Sequence, residues 1–242
     1  MSEKSSIKYL ILGRSGTGKD TLRSCLESYL GWRFVKSYTT REPRYAGENT
    51  HAFVSETEAK SISGKVAQTK IKNSSKQDWY FATEKQVRDC DAYIVDPFGL
   101  YQILSNMPFG KFSIIYIDAY SNAIKRAALR NRGDSFLSCL VRRSSEDARF
   151  DAFEQMLDQL KSGSIRFNNL QGVCCLHNKY TASSLEHMAD CVEKFTNIVE
   201  AVKYIDPEDP FGHIYIDEYY VDFSEYKDID KQARRIIDDH YF

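Results

Sequence analysis

Between the apolar run Tyr9-Leu10-Ile11-Leu12 and the helically spaced Leu22-Arg23-Ser24-Cys25-Leu26, residues 13–21 read GRSGTGKDT. A strand that ends in a tight glycine turn and feeds a helix converges backbone N–H groups and the positive end of the helix dipole, an arrangement that holds phosphate oxygens. Gly13, Gly16 and Gly18 allow close backbone approach, Ser15 lies within the turn, and Lys19 offers a point charge for β- and γ-phosphates. The place after Lys19, where a Mg²⁺-ligating hydroxyl is usual, holds Asp20, with Thr21 next to it. The Asp20 carboxylate, directly or through water, or the Thr21 hydroxyl suits a hard cation, and the sequence leaves both open.

A second phosphate-reading pattern follows in Ser37-Tyr38-Thr39-Thr40-Arg41-Glu42-Pro43-Arg44. Planar guanidinium forks bind a dianionic phosphate in a bidentate way, and Arg41 and Arg44 are spaced to do so from one short loop. Ser37 and Tyr80 add hydroxyl donors. The competing reading is a solvated basic loop. Downstream, Asp96 closes a short apolar strand, where open α/β sheets place their ligands; a helix cap before Pro97 is its alternative role.

The elements needed to position these groups are legible as alternating strands and helices, the pattern of a parallel sheet covered on both faces. Strands are expected at 8–12, 93–96, 112–117 and 173–176, each followed by a helix, at 19–30, 99–106, 122–130 and 184–203. Residues 34–91 read instead as short antiparallel strands around a helix at 56–62, a small inserted lobe for the acceptor. Residues 130–149, rich in arginine and serine, suit a lid. The expected fold is therefore α/β, a central parallel sheet with an inserted lobe and an arginine-rich lid, over residues 1–205.

Residues 206–242 form an acidic aromatic C-terminal extension, with eleven acidic and four basic residues. Its aromatics, among them Tyr215, Tyr219 and Phe223, are expected to pack on the core or across a subunit interface, a route to a homodimer, with a helix at 227–240. The 242-residue chain has a formal net charge of -1, which argues against nonspecific nucleic-acid binding by the whole surface. No apolar stretch approaches the ~18 residues of a membrane span, and the first residues, MSEKSSIKY, lack an apolar signal segment, so a cytoplasmic protein is expected. The six cysteines form no C-x-x-C pair and read as reduced, buried thiols.

The run 37–44, continued by Gly47-Glu48 and Phe53-Val54-Ser55 and coupled to the loop at 13–21, resembles the nucleotide-binding signature of guanylate kinases. The similarity extends through Trp79-Tyr80, Val95-Asp96, Gly99, Arg132-Gly133 and Arg142-Arg143, covering roughly residues 5 to 200. It implies ATP-dependent phosphorylation of a nucleoside monophosphate, GMP or dGMP first, with Mg²⁺ accompanying ATP. Lys19, Arg132, Arg143 and Asp96 would be catalytic, the arginines spreading charge over the moving γ-phosphoryl group. ATP would be held by Gly13, Ser15, Gly16, Gly18, Lys19, Asp20, Thr21 and, on the adenine side, Asn178. Metal would fall to Asp20, Thr21 and Asp96. The acceptor would meet Ser37, Arg41, Arg44, His51, Gln68, Tyr80 and Thr83, His51 standing where the family has a phosphate-binding tyrosine.

Departures gather around the base. Gln68 aligns with the glutamate that accepts from guanine N1–H and the 2-amino group, and an amide cannot accept twice. It pairs better with an edge carrying one donor and one acceptor, as adenine does. Ala82 replaces a base-contacting hydroxyl, with Thr83 adjacent, and Ile94 and Phe81 replace an acidic residue and a glycine. The alternatives are a kinase for another small phosphate, such as another nucleoside monophosphate or a ribose bisphosphate, or a non-catalytic guanylate-kinase-like interaction module. The intact loop at 13–19 argues against the module, which has no need of a γ-phosphate site.

Overall fold

The computed structural model describes residues 7–43, 45–72, 77–119, 136–205 and 214–217. Strand β1 (Lys8–Leu12) lies inside a parallel sheet, flanked by β6 (Ala92–Ile94) on one side and β7 (Phe112–Ala119) on the other. Beyond β7 come β8 (Leu170–Asn178) and β9 (Ile214–Asp217), giving the order β6-β1-β7-β8-β9. Leu10, Ile11 and Leu12 are fully buried, as a strand covered on both faces requires. Because the chain leaves β1 for β6 on one side and later returns to β7 on the other, the order of connection reverses at β1. A crevice opens outside the carboxyl ends of strands at such a point, and residues 13–19 occupy it.

Helices α1 (Lys19–Tyr29) and α6 (Ala182–Ile205) cover one face, where Leu22, Leu26, Val192 and Phe195 pack with Ile11, Ile115 and Cys174. Helices α4 (Pro97–Asn106) and α5 (Phe136–Lys161) cover the other, where Leu100, Ile103, Phe150, Phe153 and Leu157 meet Leu10, Leu12 and Tyr116. Burying one such side chain contributes about 1.5–3 kcal/mol, so these layers fix the sheet edge that carries the loop.

A second sheet has the order β3-β2-β5-β4, built from β2 (Tyr38–Thr39), β3 (Ala52–Phe53), β4 (Lys65–Lys72) and β5 (Gln77–Thr83). Short helices α2 (Glu56–Ser61) and α3 (Glu84–Asp89) accompany it, each opened by a capping box, on Ser55 and Thr83 respectively. Val66, Ala67 and Ala82 join the core cluster of α4, which anchors this sheet beside the main one. A bulge between Val66 and Thr69, with Ala67 in the left-handed region at φ 52°, pushes Gln68 outward.

The α/β architecture expected from the sequence is the one observed, with four differences of detail. β2 pairs with β3 in parallel, not antiparallel. Helix α4 starts at Pro97 because Asp96 caps it and proline suits its first turn. From residue 136 the lid segment forms the start of a 26-residue helix. β9, inside the segment assigned to the C-terminal extension, adds a strand to the main sheet. The helices expected at 122–130 and 227–240 lie outside the described residues.

Candidate active site

The turn after β1 has the geometry its glycines require. Gly16 and Gly18 adopt φ of 80° and 94°, and Gly18 caps α1 with no side-chain bond, leaving the first helical N–H groups available to an anion. A Cβ on Gly13 would lie 2.4 Å from the Ile117 carbonyl oxygen, and one on Gly18 2.4 Å from Asn178 Nδ2. Thr17 is fully buried and donates its hydroxyl to Arg14 O at 2.9 Å. Lys19 Nζ folds back over the turn to Gly13 O (2.6 Å) and Arg14 O (2.9 Å).

The end of β8 braces this turn from behind. Asn178 Nδ2 donates to Thr17 O at 2.8 Å, and its Oδ1 accepts from Tyr180 N at 2.6 Å. Tyr180, itself at φ 59°, donates its hydroxyl to Gly16 O at 2.5 Å. Burial and the nearby Asp118 charge push the Tyr180 phenol up to about 12. Asn178, expected on the adenine side of a nucleotide, has both ends of its amide committed to backbone and acts here on the shape of the loop.

The second sheet brings Ser37, Arg41, His51 and Tyr80 into one cluster. Ser37 Oγ lies 2.9 Å from His51 Nδ1, the His51 ring meets Tyr80 edge-on at 5.6 Å, and the Arg41 guanidinium lies near Tyr80. The two threonines of the motif hold the turn. Thr39 Oγ1 accepts from Arg41 N at 3.1 Å, and Thr40 Oγ1 accepts from Trp79 N at 3.0 Å.

Arg41 differs from its expected role as an open fork, because Glu48 fills it: Arg41 Nη2 and Nη1 donate to the Glu48 carboxylate at 2.8 and 3.2 Å. Burial, the largest single influence, works against the Arg41 charge, but Glu48 and Tyr80 together outweigh it and raise the guanidinium above its ordinary value. The Glu48 side chain is 1% exposed and also accepts from Thr50 Oγ1 at 2.8 Å.

Three further residues have partners within the protein. Thr83 accepts from Gln86 N as the cap of α3. Gln68 is exposed, with its backbone clipped on both sides by the Gln102 amide at 2.9 Å. Asp96, expected to orient metal waters, has its carboxylate engaged by protein. Oδ1 accepts from Gly99 N and Thr69 Oγ1, both at 2.9 Å, and Oδ2 pairs with Arg149 at 3.2 Å. Arg44 and Arg132 lie outside the described residues; Arg143 falls on α5, with its side chain outside them.

Helix α5 joins the two halves of the site. Glu146 accepts from Ser15 N at 3.0 Å and from the Ser15 hydroxyl, while Arg149, one turn on, reaches Asp96. Further along, Asp151 and Glu154 hold Arg14 at 2.8 and 3.3 Å, and Arg14 lies over the Phe150 ring at 5.2 Å. Tyr116 donates to Glu154 at 2.5 Å; burial, then this bond, raises its phenol above the ordinary range. Glu146, Arg149 and Tyr180 were missed in the sequence because each acts through a partner far along the chain, whereas Glu48 sits inside the motif, seven residues from Arg41, and was given no role there.

Asp20 and Thr21 are both exposed at the start of α1, and they are hard oxygen donors of the kind Mg²⁺ prefers. Among the described residues no group of three or more His, Cys, Asp or Glu side chains could by itself hold a metal, and no helix is long and apolar enough to cross a membrane. A scan against known protein families finds no match, and no curated protein matches the sequence. Among solved structures, the chain is similar to guanylate kinase from Anaplasma phagocytophilum, with 16% sequence identity and a TM-score of 0.48, covering 81% of this chain and 86% of that one.

Proposed function

We propose that this chain is an ATP-dependent kinase of the guanylate kinase type, whose acceptor is a nucleoside monophosphate. The observation that carries the reading is the phosphate-binding turn: a buried parallel strand ends in left-handed glycines and opens a helix at the point where strand order reverses. Such a turn, with a helix N-terminus behind it, suits the oxygens of a polyphosphate. The hydroxyl and imidazole cluster on the neighbouring sheet supports a second anion, and the motif at 37–44 that builds it resembles that of guanylate kinases.

In this reading the backbone N–H groups of residues 15–20 hold the donor phosphates and Lys19 adds its charge. Ser37, His51 and Tyr80 orient the acceptor phosphate, with Arg41 supplying charge from its Glu48-held position. Mg²⁺ bound with ATP would neutralise charge on the phosphates, and Asp20 and Thr21 are the residues that fit it. Phosphoryl transfer then depends on alignment and charge stabilisation more than on covalent help, and the lid arginines Arg132 and Arg143 would contribute the latter.

Tyr80→Phe tests the assignment of the two halves. Losing one hydroxyl contact should raise the acceptor KM about fivefold and leave the ATP KM within about twofold. A variant that shifts the ATP KM and spares the acceptor would overturn the placement.

A further inference from the structure

The phosphate-binding turn already holds an anion of the chain's own making. Ser15 N donates to Glu146 Oε2 at 3.0 Å, and the Ser15 hydroxyl donates to the other oxygen of the same carboxylate. A carboxylate on a backbone N–H and a hydroxyl reproduces what a phosphate oxygen would take from this turn. Two more carboxylates of α5, Asp151 and Glu154, hold Arg14 in the same turn, and Arg149 pins the helix to Asp96. The helix is therefore fastened in the turns that follow Glu146, to the loop through Arg14 and to the neighbouring strand end through Asp96, which keeps the Glu146 carboxylate at a high local concentration over the loop.

We infer that Glu146 is a built-in competitor for nucleotide phosphate, an autoinhibitory contact that ATP must displace. The inference rests on the reading of residues 13–21 as a polyphosphate site. A polyanion arriving at Ser15 meets an occupied N–H and three carboxylates from one helix, so binding is coupled to withdrawal of that part of α5. The apparent affinity is lowered by the fraction of molecules in which Glu146 is docked.

The test is titration calorimetry on the full chain with two probes, Mg²⁺-ATP and tripolyphosphate, for the parent protein, Glu146→Gln, Glu146→Ala and Asp158→Asn. Asp158 is exposed on the same helix and removes the same charge away from the loop. Both Glu146 variants should bind each probe about tenfold tighter, with Asp158→Asn within about twofold of the parent. Equal or weaker binding by the Glu146 variants, or an equal gain in Asp158→Asn, overturns the competitor. Tighter tripolyphosphate binding with no uptake of ATP by any form sustains the competitor and refutes the nucleotide reading. Absence of binding of either probe by all four proteins refutes both.

Discussion

Replacing Gly18 with alanine should be among the most costly single-methyl additions in this chain, and the structure says why. The residue sits at φ 94°, so an alanine there pays the left-handed penalty of about 1–2 kcal/mol. Its Cβ would also lie 2.4 Å from Asn178 Nδ2, which donates to the Thr17 carbonyl at 2.8 Å. Displacing that amide leaves a buried acceptor unpaired, worth about another 1–2 kcal/mol. The total is about 2–4 kcal/mol, measurable by urea denaturation followed through Trp32, whose indole stacks on Tyr9 at 4.6 Å in the core beside α6. A double-mutant cycle separates the two parts. With Asn178→Ala in the background there is no amide to displace, so Gly18→Ala should cost only the backbone part, giving a coupling of about 1–2 kcal/mol. A cost under about 1 kcal/mol in the parent, or the same cost in both backgrounds, would refute the claim that Asn178 shapes the loop.

Two other outcomes follow from the ion pairs. Glu48→Ala strands the Arg41 guanidinium, 11% exposed against a carboxylate 1% exposed, and should lower stability by about 3 kcal/mol; a loss under about 1 kcal/mol would mean that the pair is dispensable. At Asp91, burial opposes ionisation, but bonds from the Arg33 side chain and backbone outweigh it and hold the carboxyl below its ordinary value. A depressed folded-state carboxyl stabilises the chain above the unfolded value and loses that contribution as pH falls through the folded one. The stability gap between the parent and Asp91→Asn should therefore be constant above about pH 5 and shrink below about pH 4. A gap that persists unchanged into acid would contradict the assignment.

The strands that carry the loop were legible because they are buried on both faces and read as unbroken apolar runs, Leu10 to Leu12 being the plainest case. The loop itself announces its conformation through Gly16 and Gly18. What sequence reasoning could not supply was the commitment of polar side chains to partners far along the chain. Asp96 looks like a ligand by position, yet its oxygens go to Thr69, Gly99 and Arg149. Arg41 looks like an open fork until Glu48 closes it. Thr83 reads as a neighbour of the base pocket, although Gln86 three residues later completes a capping box that was visible in the sequence. The short β2 strand was overlooked because two residues cannot show a period. The first part of helix α5 was read as a lid because arginines and serines crowd that stretch, while the described core contacts of the helix, among them Phe150 and Phe153, lie beyond it.

The central claim is phosphoryl transfer from a nucleotide held at residues 13–21. It is tested most directly by ADP formation from Mg²⁺-ATP with a panel of GMP, dGMP, AMP, UMP, CMP and ribose phosphates, using Lys19→Ala as the blank. The account predicts acceptor-dependent turnover that Lys19→Ala abolishes. Tight ATP binding without turnover of any acceptor, or turnover that survives Lys19→Ala, would contradict it.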